Sequence, residues 1–182
     1  MNLWLRILIY LLGAPFRARL EPPFGVSRLA MFVWPNDLDV NLHMNNGRYL
    51  TVMDIGRFDL MMRMGLMGEA RKRKWMPVLS AAKVRFRREL RLFQIYTLET
   101  RIVWWKTTQF VMEHRIVIAS GPHAGQLATV ALMLGGLYER ANRRFVPVEE
   151  LMHAMSVKAD APEASPEVAA FLAAEQAIKR AA

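Results

Sequence analysis

Residues Tyr49 to Leu66 constrain what this chain can fold into more than any other stretch. The apolar positions Leu50, Val52, Met53, Ile55, Phe58, Leu60, Met61, Met62, Met64 and Leu66 spread over most of a helix circumference, because each residue turns the helix by roughly 100°. A helix that is apolar nearly all round has to be wrapped by other elements; a single supporting surface would leave half of it wet. Gly56, midway along it, lets a sheet approach closely. Asn45 or Asn46 can cap its start through a side-chain oxygen, and Gly65 and Gly68 are expected to close it.

The material for wrapping lies on both sides. Arg28 to Trp34 alternates and is aromatic enough for a first strand, and Pro35 ends it. Four more strand candidates follow, at about 79–89, 94–105, 108–119 and 126–139, separated by Arg91-Leu92, Lys106-Thr107 and Gly121 to Gly125. Such short connections imply antiparallel pairing. The expectation is therefore an α+β chain, with an antiparallel sheet of about five strands curled around one long buried helix. A length of 182 residues suits one domain. Helical extensions flank it. Leu3 to Leu12 is apolar apart from Arg6 and too short for the roughly 20 residues that span a bilayer. It reads as a helix that packs on something, either its own domain or a membrane surface, which Trp4, Tyr10, Phe16 and the arginines at 6, 17 and 19 would suit. After a short helix near Glu149 to Met155, an Ala-rich helix runs from Pro166 to about Arg180. The expected division is 1–24 for the N-terminal helix and linker, 25–160 for the main domain and 161–182 for the C-terminal helix.

Function is legible in one place, the loop ahead of the long helix. Two Asp, three Asn and one His fall between Asp37 and Asn46, in a chain that is 53% hydrophobic. In an extended loop, Asp39, Asn41 and His43 would point the same way. That gathers a carboxylate, an amide and an imidazole beside the free N–H groups of a helix start, which can hold a developing oxyanion. The pattern suits acyl transfer.

The run Asp37-Leu38-Asp39-Val40-Asn41-Leu42-His43-Met44-Asn45-Asn46-Gly47-Arg48-Tyr49 resembles the signature of the hotdog-fold acyl-CoA thioesterases of the 4-hydroxybenzoyl-CoA thioesterase type. Its Asp39-x-Asn41-x-His43-x-Asn45-Asn46 part is similar to the catalytic segment of plant acyl-carrier-protein thioesterases. Over residues 25 to 140 the order of elements also matches. One position departs, since the residue before His43 is often glycine in that signature and is Leu42 here. The resemblance implies a single hotdog domain, a homodimer or a tetramer built as a dimer of dimers, acting in lipid metabolism on an acyl-CoA or acyl-carrier-protein thioester without any cofactor. It makes Asp39 the general base or nucleophile, with Asn41 and His43 as catalytic partners and Asp37 stabilising the loop. Asn45, Asn46, Gly47 and Tyr49 would meet the substrate, although Asn45 and Asn46 are as well explained as caps. A cytoplasmic enzyme is expected, with residues 3–16 as its contact to any membrane.

Charge and composition narrow the alternatives. The net charge of +9 calls for an anionic partner, and between Arg57 and Arg91 eleven basic residues face only Asp59, Glu69 and Glu89. Arg85, Arg87, Arg88 and Arg91, and the run Arg71 to Lys74, could hold coenzyme A phosphates or form a solvated basic face. Nucleic acid is not expected, because aromatic residues do not interleave with the basic runs. The absence of cysteine removes thiol catalysis, and the four histidines have no metal-ligand spacing, so no metal is expected. His114, on an apolar strand face, reads as a core histidine, and most of the thirteen methionines read as core. Hotdog hydratases carry Asp-x-Asn-Pro-x-His, whereas here His43 follows Asp39 by four residues with no proline, which argues against hydration. A non-catalytic acyl-binding or membrane-associated protein of the same fold is the remaining alternative.

Overall fold

In the computed structural model, which describes residues 3–181, the helix that the apolar pattern requires is α2, Asn46–Arg63. Around it curls an antiparallel sheet of β1 (Ser27–Phe32), β2 (Trp75–Phe86), β3 (Ile95–Lys106), β4 (Gln109–Ile118) and β5 (Leu127–Glu139), in the order β1-β3-β4-β5-β2. A two-residue strand, β6 (Arg144–Phe145), adds to β5. This is the hotdog arrangement. Val52, Met53 and Ile55 of α2 pack on Leu29 and Met31 of β1, Leu98 of β3, Ile116 of β4 and Met133 of β5. At Gly56 the sheet comes so near that an added Cβ would lie 2.8 Å from the Leu98 side chain and collide with the Thr100 hydroxyl.

Three local expectations change. The helix ends at Arg63, where Gly65 takes a left-handed φ of +82°; Gly68 does not close it, lying inside a separate helix, α3 (Leu66–Arg73). The basic run is therefore largely helical, because Glu69 pairs with Lys72 and Arg73 one turn on and cations favour a helix C-terminus. Strand β2 also starts earlier than the sequence suggests, at Trp75, and takes in Pro77. An edge strand tolerates proline because one row of its N–H groups has no partner to lose.

The two edges of the sheet are treated differently. Beside β1 lies α1, Leu3–Gly13. The Tyr10 hydroxyl donates to the Ala30 carbonyl at 2.6 Å, Arg6 forms a buried ion pair with Asp37, and Ala14 is buried just beyond the helix. At the other edge β2 leaves Met76, Leu79 and Phe86 open to solvent. On α2, Leu50 and Phe58, eight residues apart along one stripe, are exposed as well, so a single chain wraps the helix incompletely. Two helices finish the chain. Of these, α4 (Val148–Ala154) packs near Leu60, Met64 and Trp105, and α5 (Pro166–Ala181) lays Val168 and Phe171 on Val111 and Leu134 of the outer sheet face.

Candidate functional site

The polar loop is a tight turn, not an extended segment. Leu38 bridges Met44, the Asp39 N–H donates to the His43 carbonyl at 3.0 Å, and the Leu42 N–H donates to the Asp39 carbonyl at 3.0 Å. The reversal brings the Asp39 carboxylate to 3.7 Å from His43 Nδ1, with the two side chains 21% and 30% exposed. The same Oδ1 accepts the Asn41 N–H at 2.9 Å, an Asx-turn. Asn41 itself is exposed at the turn and joins through its backbone. The alternation expected from spacing fails because the chain turns back within those five residues. Leu42 holds the reversal with a left-handed φ of +59°, a conformation glycine adopts at least cost.

Three contacts fix this turn against the fold. The Met44 N–H donates to the Leu90 carbonyl at 2.8 Å, His43 bridges Arg91, and the Asn45 N–H donates to the Asp37 carbonyl at 2.8 Å. Asn45 is the helix cap, its Oδ1 accepting the Gly47 N–H at 2.9 Å, while Asn46 is the exposed first helical residue. Asp37, by contrast, is buried. Its Oδ2 accepts the Trp34 N–H at 2.9 Å and meets Arg6 Nη2 at 2.6 Å, and Arg48 Nε stands 3.9 Å from Oδ1. Tyr49 lies in the core beneath the loop, edge-on to Phe86 at 5.1 Å, and burial pushes its phenol up to about 12.

The basic residues fall elsewhere. Lys83 and Arg85 of β2 and Arg87 just past its end, with Arg101 and Arg115, line a cleft of about 600 Å³. Glu113, which pairs with Arg101 at 2.7 Å, Glu163 ahead of α5 and Glu167 in its first turn complete the walls. Arg88 is exposed where β2 ends, and the N–H groups of Arg87 and Arg88 both donate to the Ala128 carbonyl. Three residues after Arg88, at most about 11 Å of chain, comes Arg91, which bridges His43 and pairs with Glu89 at 2.6 Å. Leu90 is the site neighbour that sequence reasoning missed, while Arg91, expected among the phosphate-binding arginines, lies against His43. The rim is apolar, with Val40 95% and Leu42 75% exposed on the turn and Leu92 and Phe93 open beside Arg91.

This chain belongs to the thioesterase-like superfamily, whose family model matches residues 33–172. Among curated relatives, Protein THEM6 of Danio rerio is 42% identical over 85 residues, which take in 47% of this chain and 42% of that protein, so the match spans well under half the length of that relative. Among solved structures, the probable thioesterase YbaW of Escherichia coli superposes with a TM-score of 0.64 at 21% identity, covering 72% of this chain and 98% of that one. A 1,4-dihydroxy-2-naphthoyl-CoA thioesterase of Synechocystis gives 0.61 at 14% identity, covering 72% and 96%. At such identities the likeness of these two is one of fold.

Proposed function

We propose that this protein hydrolyses acyl-CoA thioesters to free acid and thiol, with Asp39 as the carboxylate that acts on the carbonyl. One observation carries the reading: of the two acids in the loop, Asp37 is buried in an ion pair with Arg6, whereas Asp39 is solvent-accessible, faces His43 and stands ahead of the α2 N-terminus. A thioester carbonyl is electrophilic enough that a placed carboxylate and a few oriented N–H donors suffice. Asp39 takes a proton from an attacking water, or adds to the carbonyl and expels the thiolate to give a mixed anhydride that water then opens; label found in the protein carboxylate after a single turnover in heavy-oxygen water identifies the second route, with water attacking the Asp39 carbonyl. His43, held by Arg91, lies where it can stabilise or exchange a proton with Asp39. Oxyanion donors come from the first turn of α2, where the Asn45 side chain competes for the Gly47 N–H.

In this reading Arg85, Arg87 and Arg88 hold the phosphates of coenzyme A, and a second copy lies along β2, covering Leu79, Phe86, Leu50 and Phe58. The Synechocystis neighbour is named as a CoA thioesterase, which supports this carrier over acyl-carrier protein. The test is thiol release from a panel of acyl-CoA esters, alongside short thioesters that lack the nucleotide. Charge reversal at Arg85 and Arg87 is expected to raise KM for the acyl-CoA esters alone. Equal effects on both substrate types would remove these arginines from the site. The engaged Gly47 N–H favours one other reading, a non-catalytic acyl-binding protein, and saturable acyl-CoA binding without any thiol release would establish it.

A further inference from the structure

The face of α1 turned away from the domain has no cover. Arg6, Ile7, Tyr10 and Ala14 hold the helix to the fold, while Leu5, Leu8, Ile9, Leu12 and, one turn further, Phe16 at 91% exposure form a continuous apolar stripe on the opposite side. These positions recur at three- and four-residue steps, so they share one face over the whole helix. Leaving so many large apolar side chains of one element in water is unfavourable, and a patch of this kind marks a contact surface.

We infer that this stripe docks the protein on an anionic lipid surface, with α1 lying flat in the interface. Charge argues for lipid. Residues 1–20 carry no Asp or Glu, in a chain of net charge +9; Arg6 and Arg17 pair with Asp37 and Asp59 of the domain, and Arg19 is exposed just past the end of the stripe. The two faces of α1 argue for lying in the surface, because one is held to the fold and only the other is bare, and no described helix is long and apolar enough to cross a membrane. The fold argues against a second copy here. An open strand edge is found at β2, with exposed Met76, Leu79 and Phe86, whereas on the β1 side α1 already lies against the strand through Tyr10 and Ala30. Arg6, on the face of α1 turned to the fold, reaches Asp37 in the loop that holds Asp39, so the docked helix stays tied to that loop through the face that does not meet lipid.

The experiment is co-sedimentation of the full chain with vesicles of phosphatidylcholine alone or mixed with phosphatidylglycerol, comparing wild type with the double variant Leu8→Ser, Leu12→Ser. Both side chains are exposed, so the variant should keep its melting temperature and oligomeric state. Wild type is expected to sediment with the anionic vesicles, and the variant to partition at least about tenfold less, as loss of two buried leucines implies. Wild type that stays in solution with anionic vesicles would overturn the proposal. So would a variant that sediments equally well, since basic charge alone would then explain binding, or one that changes oligomeric state, since a second copy would then be the cover.

Discussion

At the scale of single residues the loop divides its two acids between stability and chemistry. Removing Asp37 leaves Arg6 buried without a counter-charge, and a broken buried pair costs about 3–5 kcal/mol. Asp37→Ala is therefore expected to lower the melting temperature by the order of ten degrees and to loosen α1, a loss that thermal denaturation followed by circular dichroism will read. A melting temperature within about a degree of wild type would mean that the pair does not hold α1. The division was partly visible in sequence, where the second acid matched the chemical position of a known signature and the first did not. The partner of Asp37 was not visible, because Arg6 lies 31 residues away in an apolar helix and nothing local marks a cation there as buried. The placing of Asn41 also escaped: spacing by two implies a shared face only in extended chain, and Leu42 in the left-handed region reverses it.

At the scale of elements, the all-round apolar pattern made α2 readable, and the glycine at its middle marked the place of closest approach to the sheet. Gly56→Ala gains about 1 kcal/mol of helix propensity, yet it drives a methyl against Leu98 and the Thr100 hydroxyl, and overpacking costs about 1–3 kcal/mol. A net destabilisation of up to about 2 kcal/mol is expected in urea denaturation, and a stabilised variant would show that the helix can lift without penalty. The same Thr100 hydroxyl lies 3.0 Å from His114 Nδ1 on β4. Burial, with the Arg57 charge second, lowers the His114 imidazole to about 3. The folded state thus holds this ring neutral while the unfolded chain protonates it near 6.5, so the unfolded state binds the extra proton between those values. Stability should be full above about pH 6.5 and fall by up to about 1.4 kcal/mol per unit on acidification towards 3. His114→Gln is expected to flatten that slope in denaturation curves taken across this window, and an unchanged slope would assign it to other groups. The strand face of His114 was legible from alternation. The shift in its acidity was not, because it depends first on how completely the tertiary fold buries the ring and then on an arginine of another element.

At the scale of the whole molecule, the pattern that identified α2 exceeds what one chain covers. Leu50 and Phe58 remain open on the helix, and Leu79 and Phe86 remain open on β2. A second copy along β2 would cover both and extend the sheet, so sedimentation should find at least two chains per particle, with Leu79→Arg shifting the population towards one. A single-chain wild type would contradict this assembly. The sequence could indicate that the helix needs burial, but which chain supplies the cover is a matter of tertiary geometry. The outer cleft was equally hidden, since the basic run of β2 reads as a charged edge until Arg101 and Arg115 of neighbouring strands and the start of α5 close around it.

The account rests on Asp39 acting on a thioester, and the most direct measurement is thiol release by the wild type and by Asp39→Ala on the best acyl-CoA ester of the panel, with the melting temperature of each recorded. The account predicts turnover by the wild type, at least about a hundredfold less by Asp39→Ala, and no comparable loss of stability. Wild-type turnover from Asp39→Ala, folded as the parent is, would contradict it.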